Sequence, residues 1–239
     1  MRLYLLVYGR NEANGAPAPG YLIQTDDGTN ILVDTGFSRE MIGAYTTPGY
    51  QGFRVDDADY VTNKLAAIGV RPADIRYLVC THLDPDHAGG HDNFPDAELV
   101  VQREQYEAAQ AEVHPRFGRT RAQWGDPKLT YRLLDGDTEL VPGVELVASG
   151  GHVPGHQSVL VTLPQTGPVL LAIDAMTQNI AGYTPETRPI GPFDMDEAGV
   201  RASTAKLLDL AAARGVKLII FGHDAEQWKS LRTAPEFYE

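Results

Sequence analysis

The stretch THLDPDHAGGH, residues 81–91, holds three histidines and two aspartates within eleven residues, beside two glycines. It follows RYLVC (76–80), an apolar run typical of a buried strand. The polar side chains therefore lie at the carboxyl end of a strand, where open sheets usually hold their ligands. Gly89 and Gly90 are expected to permit positive φ and close backbone approach, which would gather these side chains around one point. The stretch predicts a ligand site at a strand end.

Other metal-capable side chains also occur at predicted strand ends. His152 and His156 in GGHVPGHQS precede a strand, Asp174 ends LLAID, and His223 follows LIIF. Any one of these side chains could be an ordinary turn or surface residue. For no functional site to exist, that explanation would have to hold independently at every strand end. The clustering favours a functional site. The candidate metal ligands are His82, Asp84, Asp86, His87, His152, Asp174 and His223.

Composition narrows the class of protein and of metal site. The chain has 239 residues, 43% of them hydrophobic, and a single cysteine, Cys80. A lone cysteine excludes internal disulfides and thiolate metal clusters, so a metal must bind to histidines and carboxylates. A net charge of −12 opposes binding to nucleic acid. The absence of a long apolar run and of a signal-peptide pattern predicts a cytoplasmic protein with no membrane partner. We further expect a small-molecule substrate and a monomeric or homodimeric state.

Hydrophobic periodicity predicts strands and helices in two successive rounds, with no linker between them. This favours one layered α/β domain over residues 1–239. The second round contains Asp135-Gly136 and Pro142-Gly143 turns, which indicate an antiparallel sheet. Strands are predicted at 2–8, 21–25, 30–35, 76–81, 97–102, 129–134, 144–149, 157–163, 168–174 and 217–221, and helices at 57–69 and 196–215.

The remaining histidines and one aspartate have simpler interpretations. His114, beside a proline in a polar loop, is expected on the surface. His91 and His156 are expected to support or cap other groups rather than to bind metal. Asp34, which follows the strand in LVDTG, has the position of a turn or cap residue.

HLDPDHAGG resembles the HxHxDH signature of the metallo-β-lactamase fold superfamily. Further stretches resemble the N-acyl-homoserine lactone lactonases over nearly the whole chain. They include YLIQTDDG, ILVDTG, DGDTELVPGVEL, GHVPGHQS, LLAIDA and FGHDAEQWKS. The resemblance implies an αββα sandwich, in which two mixed sheets are flanked by helices. It also implies a hydrolase that opens a lactone ring and degrades bacterial quorum-sensing signals.

The resemblance also implies a dinuclear metal site in which a hydroxide bridges the ions and attacks the lactone carbonyl. Asp34 and His156 would support the ligands from behind, and Asp86 or Asp174 would carry a proton to the leaving group. One ion would be held by His82, Asp84 and His152, the other by Asp86, His87 and His223, and both by Asp174.

Asp84 departs from the signature, because most relatives have histidine there. With a third carboxylate, two divalent ions and one hydroxide give a neutral site. An added oxygen ligand moves the expected metal from zinc toward manganese or iron. The alternative is that Asp84 is too short to reach, which would leave one ion loosely held.

A second departure concerns substrate binding. Lactonases commonly place a tyrosine three residues after the bridging aspartate, where this chain has Thr177; Tyr183 is a candidate replacement. The aromatic residues Tyr45, Tyr50 and Phe53 form one candidate wall for an acyl chain, and Phe117 and Trp124 form another.

Other functions stay open at this stage. The same site would suit another lactone, an ester, a thioester or a cyclic amide. A diiron redox protein is an alternative because flavodiiron proteins carry a carboxylate at the position of Asp84. A non-catalytic ligand sensor is the third possibility.

Overall fold

Apolar residues alternate in the strands and therefore divide between two faces of each sheet. In the first strand, Leu3 and Leu5 face one core cluster, whereas Tyr4 and Leu6 face another. The structure is a computed structural model that describes residues 1–43, 52–179 and 184–239. Over these residues the strands form two sheets.

The first sheet has the strand order β4-β1-β2-β3-β5-β6-β7 over the described residues. β1 to β3 pair antiparallel, and β3, β5, β6 and β7 pair parallel. Its strands are β1 (Arg2–Asn11), β2 (Pro17–Gln24), β3 (Asn30–Val33), β4 (Phe53–Arg54), β5 (Ile75–Val79), β6 (Glu98–Gln102) and β7 (Thr130–Leu134).

The second sheet has the strand order β12-β11-β10-β9-β8 within the described chain. Its first four strands in sequence pair antiparallel, and the last joins β11 in parallel. Its strands are β8 (Thr138–Val141), β9 (Val144–Ala148), β10 (Gln157–Leu163), β11 (Gly167–Ile173) and β12 (Leu218–Phe221).

Helices cover the outer faces of both sheets. They are α1 (Val61–Ala67), α2 (Pro85–Ala88), α3 (Arg103–Gln110), α4 (Arg121–Trp124) and α5 (Glu197–Arg214). Short 3₁₀ segments cover Arg39–Met41, Asp57–Asp59, Pro72–Asp74, His91–Asn93, Pro115–Thr120 and Gln227–Lys229. α1, α3 and α4 pack on the first sheet, and α5 packs on the second. No helix in the described ranges is long and apolar enough to cross a membrane.

The main core lies between the two sheets. Leu3 and Leu5 of the first sheet join Val159, Val161 and Leu171 of the second in one buried cluster. Residues with the opposite parity, such as Leu160 and Leu170, face α5 instead. The αββα class implied by the resemblance is thus confirmed, because each sheet buries one face on the other sheet and one on helices.

The predicted strands all occur, with ends shifted by a few residues, but several short elements were missed. The helix predicted at 57–69 is shorter and divides into a 3₁₀ turn and α1. β8 was missed because it is a four-residue edge strand with little apolar character. α3 was missed because only Gln105 and Ala109 are buried along it, so it lacks an apolar stripe.

Candidate metal centre

The ends of four strands, from both sheets, meet at one place. β5 leads to His82 and then to the short helix α2, which carries Asp86 and His87. β11 and β12 run parallel, so Asp174 and His223 emerge together at their carboxyl ends. The loop before β10 supplies His152. The structure therefore gathers all seven candidate ligands predicted from the sequence around one centre.

The donor atoms form two groups. The first donor group is His82, His152 and Asp174, and the second donor group is Asp86, His87 and His223; within each, the atoms lie within 4.8 Å of one another. Ligands around one tetrahedral zinc ion are separated by about 3.4 Å, given bonds of about 2.0–2.1 Å. Each group is therefore compact enough to hold one ion after a small contraction.

The carboxylate of Asp174 lies between the two groups. Its Oδ2 atom is 3.4 Å from Nε2 of His152 and 3.9 Å from Nε2 of His82. Its Oδ1 atom is 3.1 Å from Nε2 of His223 and 3.7 Å from Nε2 of His87. Oδ2 is also 3.2 Å from Nε2 of His223, so the carboxylate contacts histidines of both groups, as a carboxylate placed between two ions would.

The ring nitrogens in the centre are oriented for metal binding. Nδ1 of His87 donates to Asp34 at 2.8 Å, and Nδ1 of His223 donates to the carbonyl of Pro17 at 2.7 Å. Nδ1 of His152 donates to Asp194 at 3.0 Å. These bonds direct each Nε2 atom into the centre, as partners of metal-bound histidines usually do.

Several buried polar atoms in the centre have no hydrogen-bond partner in the described part of the chain. They are Nε2 of His82, Nε2 of His87 and Oδ1 of Asp174. A buried polar atom without a partner costs free energy, so a native site that keeps three together indicates an absent ligand. Imidazole nitrogens and carboxylate oxygens are suited to divalent transition metals. The residues therefore fit a pair of such ions.

Asp34 supports the second donor group from behind. Its carboxylate accepts hydrogen bonds from the backbone and hydroxyl of Thr81 at 2.9 and 2.7 Å, and from His87. Its φ of 60° is a left-handed conformation that aspartate adopts more readily than most residues. The position is therefore a turn, as the sequence indicated, and it also orients a candidate ligand.

His156 is fully buried between strands and lies behind Asp174. Its Nε2 atom accepts from the backbone N–H of Asp174 at 3.2 Å, and Nδ1 donates to the hydroxyl of Ser149 at 2.9 Å. Burial, together with the neighbouring His82, holds the pKa of His156 well below its usual range. A neutral His156 therefore positions the backbone of the shared aspartate and has no free nitrogen for metal.

The backbone that presents Asp174 is strained. Ile173 has φ 53°, which is rare for a β-branched residue. A Cβ atom at Gly222 would lie 2.6 Å from the carbonyl oxygen of Ile173 and 2.9 Å from Oδ1 of Asp174. Only glycine at position 222 admits this approach, so the end of β12 permits the unusual turn that aims the carboxylate.

Gly89 and Gly90, in the stretch 81–91, are needed because other backbone segments pack directly against them. Gly89 and Gly90 have φ of −74° and −126°, so the expectation of positive φ was wrong. A Cβ atom on Gly89 would lie 2.1 Å from the backbone nitrogen of Ser38. The absence of a side chain lets α2 pack directly on the loop that follows Asp34.

Asp84 reaches the first donor group. Its Oδ2 atom is 3.4 Å from Nε2 of His82 and 3.3 Å from Nε2 of His152. Both carboxylate oxygens also accept hydrogen bonds from Arg116. The alternative of an aspartate too short to reach is therefore not what the geometry shows, and the feature that distinguishes Asp84 is its arginine partner.

Three residues in the centre were missed by the sequence reasoning. Arg116 contacts Asp84, and Asp194 accepts from His152 and from Arg188 at 2.9 Å. The side chains of Arg188 and Asp194 are each 5% exposed, so they form a buried ion pair. No strand end or motif marked these positions, because Arg116 lies in a 3₁₀ turn and the other two lie in the Pro-rich loop before α5, residues 184–196.

The carboxylates control the charge of the metal-free centre. Burial opposes protonation of His87, but the carboxylates of Asp86 and Asp34 outweigh it and raise its pKa to about 10. Burial likewise opposes protonation of His152, while its bonds to acidic partners raise its pKa to about 9. Both histidines hold an extra proton at neutral pH, which a metal ion must displace.

Two other histidines lie away from the donor groups. His91 is fully buried, and burial lowers its pKa to about 4; neither ring nitrogen has a partner in the residues described. It is therefore a neutral core residue, and the cap or support expected for it is not seen. His114 is exposed, as predicted, and its Nδ1 accepts from the backbone of Arg116 at 3.2 Å.

A cavity of about 740 Å³ opens onto both donor groups. Phe53 and Thr177, predicted to contact substrate, line it, together with Phe193 and Met195. Its size is within the usual range for small-molecule sites. The cavity is mixed in character, with the candidate ligands at its floor and these apolar side chains in its lining.

Phe117 and Trp124, which were also predicted as wall residues, do not line this cavity. Trp124 is 1% exposed and donates from its ring nitrogen to the carbonyl of Phe117, which is itself fully buried. Both pack in the core beneath α3 and α4, so assigning them to a substrate wall was wrong. Tyr45, Tyr50 and Tyr183 lie outside the described residues.

Comparisons with known proteins agree with this geometry. Residues 14–223 match the Metallo-beta-lactamase superfamily. The chain is 35% identical to the N-acyl homoserine lactonase AiiA of Bacillus thuringiensis subsp. kurstaki, over 99% of this chain and 98% of that protein. It is 32% identical to the N-acyl homoserine lactonase AttM of Azorhizobium caulinodans, over 100% and 99% of the two chains.

A solved structure extends the similarity to three dimensions. It is an N-acyl homoserine lactone hydrolase with the product N-hexanoyl-L-homoserine bound at its catalytic metal centre. The two folds superpose with a TM-score of 0.86 at 32% identity, over 99% of this chain and 98% of the other. The similarity therefore covers the whole fold and is not confined to the ligand motif.

Proposed function

The chain belongs to the metallo-beta-lactamase superfamily, and we propose that it is a metal-dependent hydrolase that opens the ring of N-acyl homoserine lactones and so quenches quorum-sensing signals. The observation that carries the proposal is the pair of donor groups that share Asp174 at the floor of a substrate-sized cavity. Relatives named N-acyl homoserine lactonase, 32–35% identical over nearly the whole chain, support the substrate class.

Two divalent ions would be held by residues of this centre. The first would be bound by His82, Asp84 and His152, the second by Asp86, His87 and His223, and both by Asp174. When bound, such a pair polarises an ester carbonyl and supplies a nucleophile from water near neutral pH. Zinc is the metal we propose, with manganese or iron as alternatives because of the third carboxylate.

The protein's own groups orient the reaction and handle the proton. Asp174 is fixed by the strained turn at Ile173 and by His156, so its oxygens face both donor groups. The side chain of Asp86 is 19% exposed and lines the cavity, where it can reach a substrate. Asp86 or Asp174 would accept the proton of the attacking water and return it to the alkoxide that leaves when the ring opens.

The cavity provides space for an acyl chain. Phe53, Phe193 and Met195 offer apolar surface above the donor groups. We propose that they contact the acyl chain, and that the hydroxyl of Thr177 contacts the lactone. Both sheets contribute to the core below the cavity, so we propose that residues 1–239 act as a single domain.

The proposal is tested by proton release during hydrolysis of a lactone panel. Metal-free protein is reconstituted separately with zinc, manganese, cobalt and iron, and is offered short- and long-chain acyl-homoserine lactones, other lactones, esters, thioesters and cyclic amides. We expect hydrolysis of acyl-homoserine lactones that a chelator abolishes. Hydrolysis of only another substrate class would replace acyl-homoserine lactones as the assigned substrates. No turnover with two ions bound would refute the assignment as a hydrolase.

A matched pair of variants separates the centre from the fold. Asp174→Asn should lower activity by more than about a hundredfold, because even groups that only support metal ligands contribute 10–100-fold. Asp135→Asn alters an exposed aspartate that pairs with Arg103 outside the lining of the cavity, and it should keep full activity. Equal activity of the two variants would contradict the assigned role of Asp174.

A further inference from the structure

Arg116 holds both oxygens of Asp84 in a forked ion pair. Its Nε atom donates to Oδ1 at 2.6 Å, and Nη2 donates to Oδ2. The Arg116 side chain is 11% exposed and that of Asp84 is 5% exposed. Nη1 also donates to the carbonyl of Phe193 at 2.6 Å, which anchors the guanidinium from a second side. A buried, doubly anchored fork of this kind is a strong and specific contact.

The same guanidinium lies against the first donor group. Its Nη2 atom is 3.2 Å from Nε2 of His152, the nitrogen that the bond to Asp194 directs into the centre. The Oδ2 atom of Asp84 that it binds is also the oxygen nearest His82 and His152. One protein cation therefore contacts two of the atoms that would bind the first metal ion.

The second donor group has no such competitor. In the described part of the chain, the carboxylate of Asp86 pairs with His87 and His223, and with no lysine or arginine. The carboxylate of Asp174 likewise pairs only with histidines there. The two halves of the centre thus differ in the partners of their carboxylates, because Asp84 is held by an arginine, whereas Asp86 contacts histidines whose ring nitrogens can themselves bind metal once deprotonated.

We propose that Arg116 makes the two metal sites unequal, by competing with a divalent cation for Asp84 and His152. The second donor group then binds its ion first and more tightly, and the first donor group binds the second ion weakly. The guanidinium of Arg116 lies 3.2 Å from a nitrogen that would bind the first ion, and two positive charges this close together repel strongly in a poorly solvated site. The inference rests on the proposed metal-dependent function, but its test measures metal binding and not turnover.

The test is a calorimetric titration of metal-free protein with zinc or cobalt(II) ions, with the bound metal counted by elemental analysis. Wild-type protein should show two dissociation constants that differ by at least tenfold. In Arg116→Met, the weaker constant should tighten at least tenfold and the tighter one should stay within threefold. Arg116→Lys, which keeps the positive charge, should keep the weaker constant near the wild-type value.

Further variants assign each constant and control for the loss of an arginine. His152→Gln should remove the weak site, whereas His223→Gln should remove the tight one. Arg103→Met breaks an exposed forked pair with Asp135, at 2.9 and 3.1 Å, and should leave both constants unchanged. These comparisons distinguish competition at the centre from a general effect of altered charge.

Two results would overturn the inference. One is a pair of equal constants in wild-type protein, which tests the proposal even when the Arg116 variants fail to fold. The other is an Arg116→Met protein with a wild-type circular dichroism spectrum and an unchanged weak constant. Lactone turnover, measured separately, reports on the proposed function, so an inactive protein with unequal constants would refute the hydrolase and leave this inference standing.

Discussion

The substitution Asp194→Asn should weaken both the fold and the first metal site. Asp194 joins the Pro-rich loop to the centre through its bonds to His152 and Arg188 and to the backbone of Gly191, at 3.0, 2.9 and 2.8 Å. Asparagine has nearly the same shape but no charge. The variant therefore isolates the contribution of the negative charge.

The size of the effect follows from the pKa of Asp194. Burial opposes its ionisation, but the bonds from His152 and Arg188 outweigh this and lower the pKa from 3.8 to about 2. Such a shift contributes about 2 kcal/mol to stability at neutral pH. Because the folded-state pKa is lowered, this contribution is present above pH 3.8 and is lost as the pH falls through about 2.

Thermal unfolding of metal-free protein at pH 7 measures this effect. A loss of about 2 kcal/mol in a chain of this length lowers Tm by about 4–8 °C. Zinc affinity at the first donor group should also fall about 10–100-fold, since Asp194 supports His152. The control Asp135→Asn disrupts an exposed pair and should change stability by less than about 1 kcal/mol.

The reasoning fails if Asp194→Asn and wild-type protein have the same Tm within 1–2 °C and the same metal-binding constants. That result would mean that the neutral amide serves His152 and Arg188 as well as the carboxylate does. A fall in Tm with unchanged metal binding would limit Asp194 to a structural role in the loop.

Three further outcomes are expected. The raised pKa values of His87 and His152 stabilise the metal-free fold below pH 6.5, and this effect is lost as the pH rises through about 9 to 10. Because zinc must displace these protons, its affinity should increase from pH 6 to 9, and calorimetry in buffers of different ionisation enthalpy should show protons released on binding. Asp34→Asn tolerates the left-handed backbone but removes the charge beside His87, so NMR titration should find a lower His87 pKa and metal affinity should fall about 10–100-fold. Gly89→Ala would place a Cβ atom 2.1 Å from the backbone nitrogen of Ser38, so denaturant titration should show that the free energy of unfolding falls by about 1–3 kcal/mol. An unchanged free energy of unfolding would show that the loop relaxes around the added methyl group.

Most of the metal centre could be predicted because its signals are local. Four candidate ligands lie within six residues, 82–87, and the other three follow or precede apolar runs that read clearly as strands. Parallel strands must present their carboxyl ends at the same edge of a sheet. The strand assignment placed Asp174 and His223 at strand ends, and the parallel pairing of β11 with β12, seen only in the structure, brings them together.

Contacts between distant segments had no such local signal. Arg116 meets Asp84 across 32 positions, and Asp194 meets His152 across 42. Each partner lies in a turn or a loop, and turn residues carry no periodicity that reveals what they face. Trp124 was misassigned for the related reason that an aromatic residue in a polar segment does not reveal whether it is buried.

The sequence by itself determined a layered α/β fold, the positions of most strands and the identity of the candidate ligands, because hydrophobic alternation and donor chemistry are properties of neighbouring residues. The αββα class and the grouping of the ligands came from the family resemblance. The tertiary structure alone decided that Asp84 is bound by Arg116 and that Asp194 joins His152 to Arg188. Those facts depend on how loops fold back over the sheet ends, where burial, charge and backbone strain are set by residues far apart in the chain.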